Sequence, residues 1–390
     1  MKVVLAGYGT RGDVEPFAAV GRELLHRGHD VCMAVAPEMV GFLELAELEA
    51  VPFGPESLAS SRNRMTQAPV SGVVDEKEYL SRAMVEWGTT LMALADGADL
   101  LVTGRIEQGL AANVAVYYGI PQATLHFFPG AHARLSGWAG DTVEKAEDAH
   151  RRALGLPEAT GPSTRSLEIQ AYDALGFPEL AAEWADGDGW RPFVGALTLE
   201  LPTDADDEVL SWIAAGTPPI YVGFGSGVWL PSPAKTFGLI GVACARLGER
   251  ALICSGASDF AAVPHSDQVK VVDAVNHAAV FPACRAVVHQ GGAGTTAAGM
   301  RAGIPTLILW HPVNDQQIWA DAVKRLKVGT GRAFSASNLG SLVADLGSIL
   351  DPQCITRARE VAAQMTKPAV SIASATDLLE DAPRLGRVGA

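Results

Sequence analysis

Positive charge is what this chain has least of relative to need: 30 Lys and Arg stand against 44 Asp and Glu, a formal net charge of −14. Nucleic-acid binding requires a basic face to neutralise phosphates, so no nucleic-acid partner is expected. A phosphorylated small ligand would have to be held by local dipoles and a few cations. Paired cysteines are missing as well. The five present (Cys32, Cys244, Cys254, Cys284 and Cys354) are odd in number, scattered, and without CxxC or Cys/His ligand spacing, which fits thiols of a reducing compartment. No apolar run approaches the ~18 residues needed to cross a bilayer. Lys2 followed by the short run Val3 to Ala6 reads as a first strand and not as a leader peptide. The chain is expected in the cytoplasm, reaching the inner face of a membrane only through a substrate embedded there.

What is present is a well-packed globule: 48% hydrophobic and 19% charged residues over 390 positions, enough for two domains. Strand-like runs alternate with helical patterns through the first half: Lys2 to Ala6, Val31 to Val35, Leu100 to Thr103 and Ala123 to Phe127, with helices at Val14 to Arg27, Met39 to Glu47, Glu78 to Leu94 and Gly109 to Tyr118. Such alternation predicts a parallel sheet with helices on both faces. From Gly130 to Arg191 the pattern loosens, apart from a charged helix around Glu144 to Ala153, and reads as an insertion over a cleft. A second alternation runs through Ile220 to Gly223, Ala251 to Cys254, Val269 to Val272, Ala286 to Val288 and Thr306 to Leu309. The expected boundaries are 1–200, a linker at 201–217, 218–369, and a C-terminal helix and tail at 370–390. Which domain that helix packs on is open at this stage.

The most informative stretch is His289-Gln290-Gly291-Gly292-Ala293-Gly294-Thr295-Thr296, between a buried strand and a helix start. Its glycines let backbone approach a ligand, and free N–H groups at a helix N-terminus favour an anion, most simply a diphosphate. A Gly-rich turn can also be plain punctuation; His289 at the strand end, where open α/β sheets bind ligands, favours function. Near the N-terminus Gly7-Tyr8-Gly9-Thr10-Arg11-Gly12 matches the dinucleotide fingerprint GxGxxG. Two details weigh against it: Pro16 belongs in a helix's first turn, so the helix should start later than a fingerprint helix, and no acidic residue ends the second strand.

Taken with these loops, the segments Gly9 to Pro16, Val222 to Ser226, Val275-Asn276-His277, His289 to Thr296 and Asn314-Asp315-Gln316 resemble, in order and over nearly the whole chain, the family 1-type GT-B glycosyltransferases. The likeness is greatest to actinobacterial enzymes acting on glycopeptides and mycobacterial enzymes acting on glycopeptidolipids. The resemblance implies an α/β fold of two Rossmann-like domains facing across a cleft, the acceptor held by the first and a nucleotide-sugar donor by the second. It assigns His289, Ser226, Gly291, Gly292, Gly294 and Thr295 to the diphosphate, Val275 and Asn276 to base and ribose, Asp315 and Gln316 to sugar hydroxyls, and Asp13 to the catalytic base. Asp273 departs from the tryptophan many relatives use to stack on the base, so thymidine and uridine stay undecided.

Plainer roles stand beside these. His289 could simply end a strand, Asp315 and Gln316 could open a helix, and Asp13 could cap a helix with Arg11 pairing to it and lowering its pKa. No Asp-x-Asp metal motif occupies the donor half; Asp204-Ala205-Asp206 reads as a solvated turn. No metal and no cofactor are expected. The implied activity is metal-independent, inverting transfer of a sugar, for instance a 6-deoxyhexose such as rhamnose, from a dTDP- or UDP-sugar to a hydroxyl of a glycopeptidolipid or glycopeptide-like acceptor. The alternatives are a sugar-nucleotide epimerase on the same fold, a non-catalytic nucleotide-sugar-binding protein and, last, a dinucleotide oxidoreductase.

Overall fold

The computed structural model describes residues 1–57, 76–129, 137–158, 166–185, 190–225, 233–256, 267–311 and 315–385. The chain divides into two compact units, one of residues 1–173, 179–199 and 368–390, the other of residues 174–178 and 200–367. In the first, β1 (Lys2–Gly7), α1 (Arg11–His26), β2 (Asp30–Val35), α2 (Val40–Leu45) and β3 (Ala50–Pro52) are followed by α3 (Glu76–Ala95), β4 (Leu100–Thr103), α4 (Gln108–Tyr118), β5 (Gln122–His126), α5 (Gly137–Ala153), β6 (Leu167–Gln170) and α6 (Pro178–Ala185). All its strands pair in parallel, in the order β3-β2-β1-β4-β5-β6. β1 lies in the middle with a covered face on either side. Val3, Val4, Leu5 and Ala6 are accordingly all fully buried, without the polar alternation of a half-exposed strand.

The second unit runs α7 (Asp206–Ala214), β7 (Ile220–Gly223), α8 (Pro233–Arg246), β8 (Ala251–Cys254), β9 (Val269–Val272), α9 (His277–Val280), β10 (Ala286–His289), α10 (Ala293–Ala302), β11 (Thr306–Trp310), α11 (Gln316–Arg325), β12 (Gly329–Ala333), α12 (Leu339–Ile349) and α13 (Pro352–Ala362). Its sheet, again parallel, has the order β12-β11-β10-β7-β8-β9. One core lies between this sheet and α8 and α12, built on Val222, Phe237, Val288, Leu309 and Leu346; another sits on the opposite face around Leu252, Val287, Val280 and Phe281. The last helix, α14 (Pro368–Leu385), returns to the first unit and packs on α1. Arg27 Nη1 bonds Asp377 (2.6 Å) and Glu380 (2.8 Å) there, and His29 Nε2 meets Glu380 at 2.7 Å.

Three sequence expectations are corrected. α1 starts at Arg11, not Val14, and holds Pro16 in its interior. The turn before it is fixed by Asp13, whose Oδ2 accepts from the Thr10 N–H (2.7 Å) and hydroxyl (3.0 Å), so the helix is set before the proline is reached. The stretch from 130 to 191 is no mere insertion: it supplies β6 to the first sheet, while α5 packs on α3. Asp206 is not part of a solvated turn. It is buried, and accepts from Thr203 N and Oγ1 (both 2.8 Å) and from Asn276 N (2.8 Å), fastening α7 to the second unit.

Candidate functional site

An open parallel sheet opens a crevice where neighbouring strands send their connections to opposite sides, at the carboxyl ends of the strands. The two strand orders put that crevice between β1 and β4 in the first unit and between β7 and β10 in the second. The glycine-rich segments at Gly7 to Gly12 and at His289 to Gly294 fall at these two places.

In the second unit β10 ends at His289, which is fully buried. Its Nδ1 accepts the Gly291 N–H at 3.0 Å, so the neutral ring carries its proton on Nε2. Burial, with a smaller push from His277, holds the imidazole near 3, neutral at any physiological pH. Among the described residues Nε2 has no hydrogen-bond partner, which leaves a buried N–H donor free for one. His289 therefore both orders the turn and keeps one donor in reserve.

The turn itself explains its glycines. Gly291 has φ +102°, and a Cβ there would stand 2.8 Å from Gln316 O and 2.9 Å from Ile308 Cγ2. Gly292 caps α10, and the first helical bond is made by Thr296 N to Gly292 O (2.9 Å). The N–H groups of Ala293, Gly294 and half-buried Thr295 thus begin the helix without an intrahelical acceptor, at the positive end of its dipole. Among the described residues nothing lies within 4 Å of where a Cβ on Gly294 would go, so none of them demands a glycine there.

Around this turn the other expected donor residues have structural duties. Asn276 caps α9 through Ala278 N (3.0 Å) and gives Nδ2 to Glu200 O (3.4 Å), while Val275 is buried in the core beneath. Gln316 is buried, with Oε1 accepting from His311 N at 2.8 Å. Asp315 is the N-cap residue of α11, its carbonyl accepting from Trp319 N at 3.2 Å, with no side-chain capping bond. Ser226 lies outside the described residues. Asp273 is exposed and accepts from Ser255 Oγ at 3.1 Å. Gln290, which sequence reasoning passed over, lays its amide against Gly225 at the end of β7 and has an unpartnered buried Oε1. Among the described residues no group of three or more His, Cys, Asp or Glu side chains is placed to hold a metal.

In the first unit a cavity of about 40 Å³ opens at the ends of β1, β4 and β5. Asp13, Arg105, Glu107 and His126 line it, among the rings of Phe17, Phe127 and Phe128. Gly9, at φ +136°, leaves the room into which the Asp13 carboxylate folds; a Cβ would lie 2.7 Å from Asp13 Cγ. A carboxylate thus occupies the space over the fingerprint glycine where a dinucleotide's phosphates would have to approach. Arg11 does not pair with Asp13: its Nε bonds Glu15 Oε2 at 2.8 Å. Burial accordingly outweighs the Thr10 hydrogen bonds and raises the Asp13 pKa, opposite to the lowering that an Arg11 pair would cause.

Glu107 is the residue the sequence pattern did not flag. It is 2% exposed, its Oε1 has no partner among the described residues, and burial together with the Asp13 charge pushes it up to about 8. His126, at the end of β5, also lines the cavity with an unpartnered Nε2, and burial holds it below the ordinary histidine range. The available signal was positional: a charged Arg105-Ile106-Glu107 turn directly after the apolar strand β4.

Residues 3–87 match the glycosyltransferase family 28 N-terminal domain, and residues 251–385 match the erythromycin biosynthesis protein CIII-like C-terminal domain. An uncharacterized glycosyltransferase of Mycobacterium tuberculosis is 54% identical, covering 99% of this chain and 100% of the relative. The vancomycin aglycone glucosyltransferase of Amycolatopsis orientalis is 28% identical, with 96% of each chain covered. Among solved structures, a calicheamicin glycosyltransferase superposes with a TM-score of 0.74 at 18% identity over 100% of this chain and 99% of that one. A Streptomyces sp. SF2575 glycosyltransferase complexed with thymidine diphosphate gives 0.65 at 20% identity over 97% and 99%. Two parallel-sheet α/β domains, each with a glycine-rich turn at its switch point, and full-length kinship at this level lead to one conclusion: the chain belongs to the family 1-type GT-B glycosyltransferases and is a glycosyltransferase.

Proposed function

We propose that this enzyme moves a sugar, for instance a 6-deoxyhexose such as rhamnose, from a dTDP- or UDP-sugar to a hydroxyl of a glycopeptidolipid or glycopeptide-like acceptor. The reading is carried by the turn after β10, where unpaired α10 amides, the open side of Gly294 and the unpartnered Nε2–H of neutral His289 converge on one function, holding an anion. A diphosphate leaving group gains charge as the glycosidic bond breaks. Fixed N–H donors stabilise that charge without reorganisation and without a metal ion. The solved relative complexed with thymidine diphosphate supports a nucleoside diphosphate as the occupant. Ser226, Val275, Asn276, Asp315 and Gln316 are proposed to complete the donor site through phosphate, base, ribose and sugar contacts.

Asp13 is proposed as the base. One carboxylate oxygen is committed to Thr10, and the elevated pKa suits a group that takes a proton from an alcohol better than an ordinary carboxylate would. A single displacement with Asp13 as base inverts the anomeric centre. Work at the cytoplasmic face of a membrane follows from a lipid-bearing acceptor; among the described residues no helix is long and apolar enough to cross one. The test is incubation of the enzyme with dTDP-rhamnose and a deglycosylated lipopeptide acceptor in chelator, with product followed by mass spectrometry and its anomeric configuration by NMR. Transfer with inversion is expected. Donor conversion without transfer would favour the epimerase, and donor binding with no turnover would favour a binding protein.

A further inference from the structure

The cavity beside Asp13 holds more polar capacity than one hydroxyl can use. Asp13 Oδ2 is committed to Thr10. An acceptor hydroxyl gives its single proton to the base and one lone pair to the anomeric carbon, so its second lone pair can serve at most one further group. Glu107 and His126, which line the same cavity, each carry a buried polar atom without a partner among the described residues, Oε1 and Nε2. The volume of about 40 Å³ has room for about two or three oxygen-sized groups.

We propose that Glu107 and His126 bind a second oxygen of the acceptor, next to the hydroxyl that Asp13 deprotonates, so that the enzyme takes a diol or sugar ring in preference to an isolated alcohol. This rests on the glycosyl-transfer reading and narrows its acceptor. Glu107 keeps its proton at neutral pH and donates to that oxygen. His126, kept neutral by burial, offers Nε2 beside it. The charged groups facing the pair are Asp13 and Arg105 within the cavity and, toward His126, Glu168 and Arg191. Glu168 is already bound by Arg191 Nε (2.7 Å) and Gln108 Nε2 (3.1 Å), so it does not fill the same need. Phe17 and Phe127 meet edge to face at 6.5 Å, and Phe128 continues the wall, giving the C–H face of a ring an apolar surface.

The test compares trans-cyclohexane-1,2-diol with cyclohexanol by saturation-transfer NMR titration at pH 7, with thymidine diphosphate present. The diol should bind tighter by about tenfold, the scale of one added hydrogen bond. Glu107→Leu and His126→Phe should each erase the preference, and Glu107→Gln, whose amide still donates, should keep it. At pH 9 the wild type should lose the preference while Glu107→Gln retains it, a comparison that stands even if the leucine variant fails to fold. Equal affinities, no binding of either probe, or a preference that survives in Glu107→Leu overturns the proposal. Phosphorus NMR of the nucleotide in the same tubes separates the readings. A bound nucleotide with no diol preference sinks this proposal alone; a diol preference with no bound nucleotide upholds it and sinks the donor site.

Discussion

Two glycines three residues apart in the chain, Gly291 and Gly294, should respond to the same methyl in opposite ways. Gly294 sits in the first turn of α10 with nothing among the described residues within 4 Å of a Cβ position. Alanine there gains helix propensity, up to about 1 kcal/mol, or roughly 2–4 °C in the melting temperature of the domain. The same methyl projects beside the N–H groups assigned to the diphosphate. Displacing a phosphate oxygen from one of them should cost about tenfold or more in nucleotide affinity. Gly291 has no such freedom. At φ +102°, with Gln316 O 2.8 Å and Ile308 Cγ2 2.9 Å from the added atom, alanine combines backbone strain with overpacking, together about 2–5 kcal/mol of destabilisation. Scanning calorimetry reads stability, and titration calorimetry with thymidine diphosphate reads affinity. A Gly294→Ala protein that binds thymidine diphosphate like wild type, or that melts earlier, would refute the reasoning that its open side faces the ligand.

Glu107→Gln should reveal the buried carboxyl through pH. From about 4.5 to 8 the unfolded wild type releases a proton that the folded protein keeps, so wild-type stability falls as pH rises through that window and levels off above it. The loss is on the order of 5 kcal/mol. The melting temperature of the variant minus that of wild type should therefore climb with pH up to about 8, and a difference independent of pH would contradict the assignment. Asp13→Asn should cut transfer by ~10²-fold or more with an unchanged or raised melting temperature, because the amide oxygen still accepts from Thr10; near wild-type turnover would leave Asp13 a purely structural residue. His289 should appear in ¹⁵N NMR as the neutral Nε2–H tautomer from pH 5 to 8, since burial holds its pKa near 3; titration near 6.5 would contradict it.

The parallel strands were legible because each is a short apolar run covered on both faces, as Val3 to Ala6 and Val287 to Val288 illustrate. So was the place of the turn after β10, where three glycines and a histidine stand at the end of a buried strand and the start of α10. Less legible was the start of α1. Sequence logic places Pro16 in a first turn, but the Asp13–Thr10 bonds begin the helix earlier, and side-chain hydrogen bonds of that kind are not visible as periodicity. β6 escaped notice because Leu167 to Gln170 interleaves Glu and Gln with two apolar residues in a segment otherwise poor in pattern. Glu107 and His126 were missed for a related reason. A carboxyl and an imidazole 19 positions apart in sequence become unusual only when the sheet brings the ends of β4 and β5 together and buries both.

The turn from His289 to Thr295 is proposed to hold the diphosphate of a sugar nucleotide through backbone and histidine donors and without a metal ion. Titration calorimetry of the wild-type enzyme with thymidine diphosphate, in chelator and then with added magnesium, tests it most directly. Binding of comparable affinity is expected in both, weakened in Gly294→Ala. Binding that disappears in chelator and returns with magnesium would contradict it.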